Sequence, residues 1–332
     1  MGRLYVQVYS DENLTEAWHQ VRTRGTESAG ADGVSLAQFQ RYLFLELRKL
    51  QMELKNGAYR PLPVKLITIK KPGGGHRPIG ILAIRDRVAQ RAVLNVITPL
   101  FEAGFEPVSF GFRLGRSREM ALEHVASLVN QGYQWTAHFD IERCFENIPL
   151  AKLRRLLARK LKDRRILRLI NAWLEMDSVR STGRGSISGG HLSGLTQGSP
   201  LSPLLANAYL DQFDKACRRK GIQVTRYADD VLLLGRSQHE VQADFKAALK
   251  MLKRLQLKVN PAKTRFLHVE EGIEFLGGTL VFQVSDRVGS WHPWFPDLGE
   301  EEGQGEKPLV LHAYETPAGA GERGLDGHPV RG

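Results

Sequence analysis

At 332 residues the chain is long enough to bury a substantial core in more than one lobe. Its 47 Lys and Arg against 36 Asp and Glu leave a net charge of +11, which points to a polyanionic partner, nucleic acid first, with a merely solvated basic surface as the alternative. Two cysteines, Cys144 and Cys217, exclude a disulfide framework and zinc spacing; no apolar run reaches the ~20 residues of a membrane span; and Met1–Val8 lacks the layout of a secretory signal, so the expected setting is cytoplasmic.

In chain order, Leu14–Arg22 is amphipathic and Gly25–Gly33 is small and polar, a loop. From Ser35 to Lys55, Leu36, Phe39, Leu43, Leu47, Leu50 and Leu54 recur at spacings of three and four, predicting one helix stopped by Gly57. Val64–Ile69 alternates like a half-buried strand, and Pro72-Gly-Gly-Gly75 turns it around. Helices are expected over Arg85–Phe105 and Ser117–Asn130, then a strand-like run, Trp135–Ile141, in which Asp140 follows apolar residues. Leu150–Leu174 reads as a basic helical pair and Pro200–Lys220 as a helix opened by proline and closed by Gly221. Arg226–Leu234 suits two strands with a tight turn, Asp229 and Asp230 at its tip. Gln238–Leu257 is a last helix, Phe266–Val281 a last pair of strands around Gly277-Gly278. From about Asp286 glycine, proline and acidic residues dominate, as in a poorly ordered tail or a fragment of something longer.

An Asp-Asp pair alone suits a turn as well as a site. Asp140, Asp229 and Asp230 together, at two strand ends, are what two-metal phosphoryl transfer needs, with cations roughly 3.5–4 Å apart. The segment Lys70-Lys-Pro-Gly-Gly-Gly-His-Arg77-Pro-Ile-Gly80 offers cations and free amides to a triphosphate, Arg77 foremost and Lys70 and Lys65 in support; a plain hairpin with charged flanks is its other reading. It lacks the Lys-Ser ending of a P-loop. Gln197-Gly198 before the proline-opened helix permits close approach of a nucleotide, or is simply a helix start with a loop glycine.

In order and spacing, that basic hairpin, Gly111-Phe-Arg-Leu-Gly-Arg-Ser117, Phe139-Asp-Ile-Glu-Arg-Cys-Phe-Glu-Asn-Ile148, Gln197-Gly-Ser-Pro-Leu-Ser-Pro203 and Tyr227-Ala-Asp-Asp230 resemble the consecutive blocks of reverse transcriptases of the bacterial group II intron type, over roughly residues 28–282. The resemblance implies an α+β fingers-and-palm fold with an antiparallel palm sheet packed on helices. It implies an N-terminal extension at 1–27, fingers at 28–134, palm at 135–285 and a tail at 286–332. It implies two magnesium ions held by Asp140 and Asp229, with Asp230 adjacent and the Ile141 carbonyl contributing. Phe145 would stand against the 2′ position of the incoming sugar, its alternative being a core phenylalanine. Gln197 and Gly198 would lie beside the nucleotide and Arg77 on its phosphates. Lys263, in Asn260-Pro-Ala-Lys-Thr264, resembles a lysine that protonates pyrophosphate, although a surface lysine after a helix is commonplace. Phe275-Leu-Gly277 resembles a primer-grip turn, with a simple strand-end glycine as its other reading. The basic helices at 152–168 have a solvated face as their more usual fate and template or primer contact as the other.

The implied partners are an RNA template, a DNA or RNA primer and dNTPs, with no membrane. The tail holds too little for a helical thumb, so the thumb is expected to be absent or incomplete. Leu309-Val-Leu-His-Ala-Tyr-Glu-Thr-Pro-Ala-Gly319 and Gly324-Leu-Asp-Gly327 resemble the start of a CRISPR integrase, which would place the chain in the CRISPR-associated branch, in antiviral defence, copying RNA into DNA for spacer capture. The rival readings are a non-polymerising RNA-binding subunit, maturase-like or of a CRISPR adaptation complex, and a template-independent nucleotidyltransferase or cyclase on a palm-like fold.

Overall fold

The computed structural model describes residues 3–295, apart from 25–26, 71–73, 75, 183–184, 192 and 286–287. In chain order the elements are α1 (Arg3–Val8), α2 (Asp11–Arg24), α3 (Leu36–Arg41), α4 (Leu43–Asn56), β1 (Val64–Lys70), β2 (His76–Ile81), α5 (Ile84–Glu102) and α6 (Arg118–Asn130). They continue with β3 (Trp135–Asp140), α7 (Cys144–Asn147), α8 (Leu150–Lys160), α9 (Arg164–Leu174), β4 (Asp177–Thr182), β5 (Gly185–His191) and α10 (Ser202–Arg219). The last are β6 (Gln223–Tyr227), β7 (Asp230–Gly235), α11 (Gln238–Arg254), β8 (Arg265–His268), β9 (Glu274–Phe275), β10 (Gly278–Ser285) and β11 (Val288–Trp294).

Three sheets organise these elements: β2-β1-β4-β5, β6-β7-β3-β8 and β11-β10-β9. The middle one is wholly antiparallel, as expected of the palm. Its alternation assigns the two faces. Ala137, Phe139, Val231 and Leu233 enter the large core with α10 and α11, where Phe139 meets Phe245 edge-on at 5.3 Å. Leu232 and Leu234 face a second core built with α6 and β10. His138, Asp140 and Asp230 share this second face, because residues directly opposite in a ladder point the same way.

Four expectations need correction. The single helix over Ser35–Lys55 is two, broken at Tyr42, whose φ −112°, ψ 25° leaves the helical region. β4 and β5, within the stretch read as palm, join the first sheet, with β4 parallel to β1. Phe266–Val281 is not one strand pair: β8 completes the middle sheet, while β9 and β10 make a hairpin through Leu276 and Gly277, both at positive φ as a type I′ turn requires. Order does not stop at 286 either, since β11 pairs with β10 along its length to Trp294. The integrase-like stretches 309–319 and 324–327 lie outside the described residues.

Candidate active site

The acidic hairpin is fixed from beneath. β6 and β7 are joined by two residues, Ala228 and Asp229, and Ala228 takes φ 57°, a strained value for a residue with a Cβ. Arg226, fully buried, holds that turn. Its Nε and one Nη2 hydrogen fork onto Asp214 at 2.8 and 2.6 Å, Nη2 also reaches Ser109 Oγ at 2.8 Å, and Nη1 donates to Asn207 Oδ1 at 3.0 Å and the Ala228 carbonyl at 2.9 Å. All five guanidinium donors are thereby satisfied, the condition on which a buried arginine is tolerated. Burial pushes the Asp214 carboxyl up, and the Arg226 fork opposes that push. Asn207 in turn donates to the Gly111 carbonyl at 2.8 Å, and position 111 must be glycine because a Cβ would press on the Ala228 nitrogen.

Above this base the acidic positions adjoin through the backbone. Asp140, last in β3, lies directly across the ladder from Asp230, first in β7, and Ile141 N donates to the Asp229 carbonyl at 2.9 Å. Both flanking carboxylates already draw N–H donors. Lys263 Nζ sits 3.0 Å from Asp140 Oδ2, and His138 Nε2 sits 2.6 Å from Asp230 Oδ1. Cys144 is buried behind them; desolvation, then the charges of Asp229 and Asp140, pushes its thiol up to about 12, so it stays protonated and inert as a nucleophile. Among the described residues no three His, Cys, Asp or Glu side chains already converge as a metal cage. The donor chemistry nevertheless fits a hard divalent cation: three carboxylates at adjoining positions, two of them already drawing nitrogen donors, Lys263 and His138.

A cavity of about 730 Å³ opens between β1 and β2 of the first sheet and the loop ahead of α10, lined by Ile67, Ile69, Ile79, Phe112, Phe145 and Gln197 among others. Phe145, at the start of α7, is half-buried, so it both lines this space and packs on the core. The loop ahead of α10 is tied on both sides: Leu195 N donates to the Phe145 carbonyl at 2.7 Å and Gly80 N to the Gln197 carbonyl at 2.8 Å. Gly198 takes φ 101°, and a Cβ there would overlap the Gly80 carbonyl oxygen. Lys65, half-buried, and Lys70, exposed, do not line the cavity. Arg77, on β2, pairs with Ile69 of β1; the Arg77 side chain lies outside the described residues. Phe275 is buried with its ring edge-on to His138 at 5.5 Å, which seats the β9–β10 turn against the acidic end of the sheet.

The profile of the family described as reverse transcriptase (RNA-dependent DNA polymerase) matches residues 69–280, nearly two-thirds of the chain. The chain belongs to the reverse transcriptase family. Protein YkfC of Escherichia coli strain K12 is 29% identical over 328 aligned residues, covering 84% of this chain and 83% of that protein. The group II intron-encoded protein LtrA of Lactococcus lactis subsp. cremoris is 34% identical over 212, covering 64% of this chain and 32% of LtrA. A chain of the solved partial Cas6-RT-Cas1–Cas2 complex is 28% identical with a TM-score of 0.46, covering 76% of this chain and 41% of that one. This chain thus spans about a third of LtrA. As a reverse transcriptase domain it is an RNA-directed DNA polymerase by family and a nucleotidyltransferase by class, and the family uses divalent metal ions. No helix among its described residues is long and apolar enough to cross a membrane.

Arg226, Asp214, Asn207, Ser109 and His138 were not singled out from the sequence. One signal was present: Arg226 is a lone charge beside an aliphatic strand, and Asn207 and Asp214 lie seven apart on one face of α10.

Proposed function

We propose that the chain extends a primer on an RNA template by in-line attack of the primer 3′-hydroxyl on the α-phosphorus of a deoxynucleoside triphosphate, forming the phosphodiester and releasing pyrophosphate. The observation that carries this reading is the Asp140–Asp230 ladder pair with Asp229 bonded through its carbonyl to Ile141. Asp140 and Asp229, with Asp230 and the Ile141 carbonyl beside them, would hold two magnesium ions, which supply charge neutralisation and a more acidic attacking hydroxyl. Phe145 excludes a ribose 2′-hydroxyl from the cavity, Gln197 flanks the nucleotide, and Arg77 takes its phosphates with Lys70 and Lys65 adding positive field. Lys263 offers the proton that leaves with pyrophosphate.

The fingers then comprise residues 28–134 with the 177–191 hairpin added to their sheet, and the palm the remainder to 285. The integrase-like stretch at 309–319 supports a CRISPR integrase partner in the cytoplasm and cDNA made ahead of spacer capture, which co-purification with that integrase checks. Primer extension on an RNA template with magnesium tests the chemistry. Asp229→Ala is expected to abolish DNA synthesis while leaving RNA binding in place; equal synthesis by both proteins, or tight RNA binding with no incorporation by the wild type on any primer-template, overturns the proposal.

A further inference from the structure

A second concave surface lies away from the acids. Where α8 meets the ends of α5 and α11 and the flank of α10, a cleft of about 580 Å³ is walled by Lys152, Arg155, Arg159, Lys160, Lys215 and Arg254. Against these six cations the lining contains one carboxylate, Asp211, and Lys215 Nζ already binds it at 2.5 Å. Lys152 is fixed by donating to the Arg254 carbonyl at 2.7 Å, and Lys160 stands over the Phe101 ring at 5.6 Å. Arg155, Arg159 and Arg254 are exposed, and none pairs with a carboxylate among the described residues. Arg155 and Arg159, four apart on one helix, repel each other in the free protein. Like charges gathered in one concavity, rather than spread over a surface, are what a polyanion recruits.

The placement separates this cleft from the polymerising site. α10 and α11 pack on the face of the middle sheet bearing Phe139 and Leu233, whereas Asp140 and Asp230 stand on the opposite face with His138. The chemistry of the walls narrows the ligand. Lys152, Arg155 and Arg159 rise along α8 in steps of about 4.5 and 6 Å, a ladder that tracks a strand of phosphates. Of the aromatic residues in the lining, Phe101 and Tyr209 are buried, Tyr209 spends its hydroxyl on the Leu255 carbonyl at 2.8 Å, and half-buried Phe105 has the Arg113 guanidinium 5.1 Å from its ring centroid, so little ring surface is offered for unpaired bases to stack on. Single strands are gripped by stacking as well as charge; a duplex is gripped by its backbone alone. We propose that this cleft is a second nucleic-acid site that holds the phosphate backbone of a base-paired stem while the carboxylate face works on another segment.

The test uses the whole chain with Arg155→Glu/Arg159→Glu and, for a milder change, Arg155→Gln/Arg159→Gln. Fluorescence anisotropy is read against an RNA stem, a DNA duplex of the same sequence and an unpaired RNA, over a salt series. Affinity for the stem is expected to fall at least about tenfold in the charge reversal. The slope of log K against log salt is expected to shrink by about two in either variant, near 0.9 for each phosphate no longer neutralised. Unpaired RNA is expected to change less. RNA and DNA duplexes weakening together identify the shared backbone as the ligand, and RNA alone weakening identifies an A-form stem; both support the site. At low salt the wild type is expected to take up two short stems per chain and the double variants one. An unchanged slope, retention of two stems by the variants, an equal loss on unpaired RNA, or the same losses from Lys49→Glu/Lys55→Glu on α4 overturns the proposal. Retained nucleic-acid binding with loss of an acidic protein partner overturns it in favour of a protein interface.

Discussion

The Arg226 guanidinium donates to the Ala228 carbonyl at 2.9 Å while forking onto Asp214, so one buried charge sets the backbone of the acidic turn. Arg226→Met is expected to cost about 3–5 kcal/mol in urea unfolding, because Asp214 is left buried without its partner. Arg226→Met/Asp214→Leu is expected to recover most of that stability, since an apolar pair of similar volume replaces the ions. The double variant still lacks the Ala228 contact, and its primer extension is expected to need several-fold more magnesium than the wild type. Wild-type magnesium dependence in the double variant would show that the turn needs no such anchor.

Lys263 separates chemistry from stability. Its side chain is 62% exposed, so the ion pair with Asp140 is worth no more than about 1 kcal/mol to the fold. Lys263→Met is expected to unfold at nearly the same urea concentration and to lose about 10²–10⁴ in the rate of nucleotide addition, the range of general acid catalysis. Single-turnover kinetics beside the unfolding curve checks both halves.

Phe145 is expected to set sugar selection. Phe145→Ala opens the cavity beside Gln197, and the preference for dNTP over rNTP in kcat/KM is expected to fall by about 10–200-fold. Competition between the two nucleotides on one primer-template measures it. An unchanged ratio with a lowered Tm assigns the ring to the core alone.

Asp86 predicts a pH dependence remote from the acids. Burial pushes its carboxyl up from the ordinary value to about 6, against hydrogen bonds from the Tyr59 hydroxyl at 2.6 Å and Leu62 N at 2.9 Å. A carboxyl raised in the folded state binds more protons there than in the unfolded chain, so its contribution is complete below about pH 4 and is lost as pH rises through 6. The loss is about 3 kcal/mol by linkage. Asp86→Asn is expected to flatten that part of the stability profile, visible as a shrinking gap, or a crossing, between the two unfolding curves from pH 4 to 7.

The parts of the fold that local pattern encodes were legible. The Arg226–Leu234 hairpin, the strand ending at Asp140 and the proline-opened helix each show alternation, helical spacing or turn residues within a few positions, and those same segments carry the acids and Gln197. The 177–191 hairpin was not legible, because Ser-Val-Arg-Ser-Thr followed by Gly-Arg-Gly-Ser-Ile-Ser has no apolar period and β4 is held by pairing with β1, over a hundred residues earlier. The break at Tyr42 escaped for the opposite reason: the apolar spacing runs unbroken across it, and one residue's dihedrals decide it. Arg226 showed locally only as a charge beside an aliphatic strand; its role was not legible there, since its five acceptors come from Ser109, Asn207, Asp214 and Ala228, on three separate stretches of chain.

The bond from Gly80 N to the Gln197 carbonyl stitches a strand of one lobe to the loop that opens α10 in the other. Any swing that widened the space beneath Ile69 and Ile79 must therefore snap that stitch or carry residues 196–198 along with it. Admission of a substrate and the setting of Gln197 beside it are coupled mechanically, as a drawer is to its own latch.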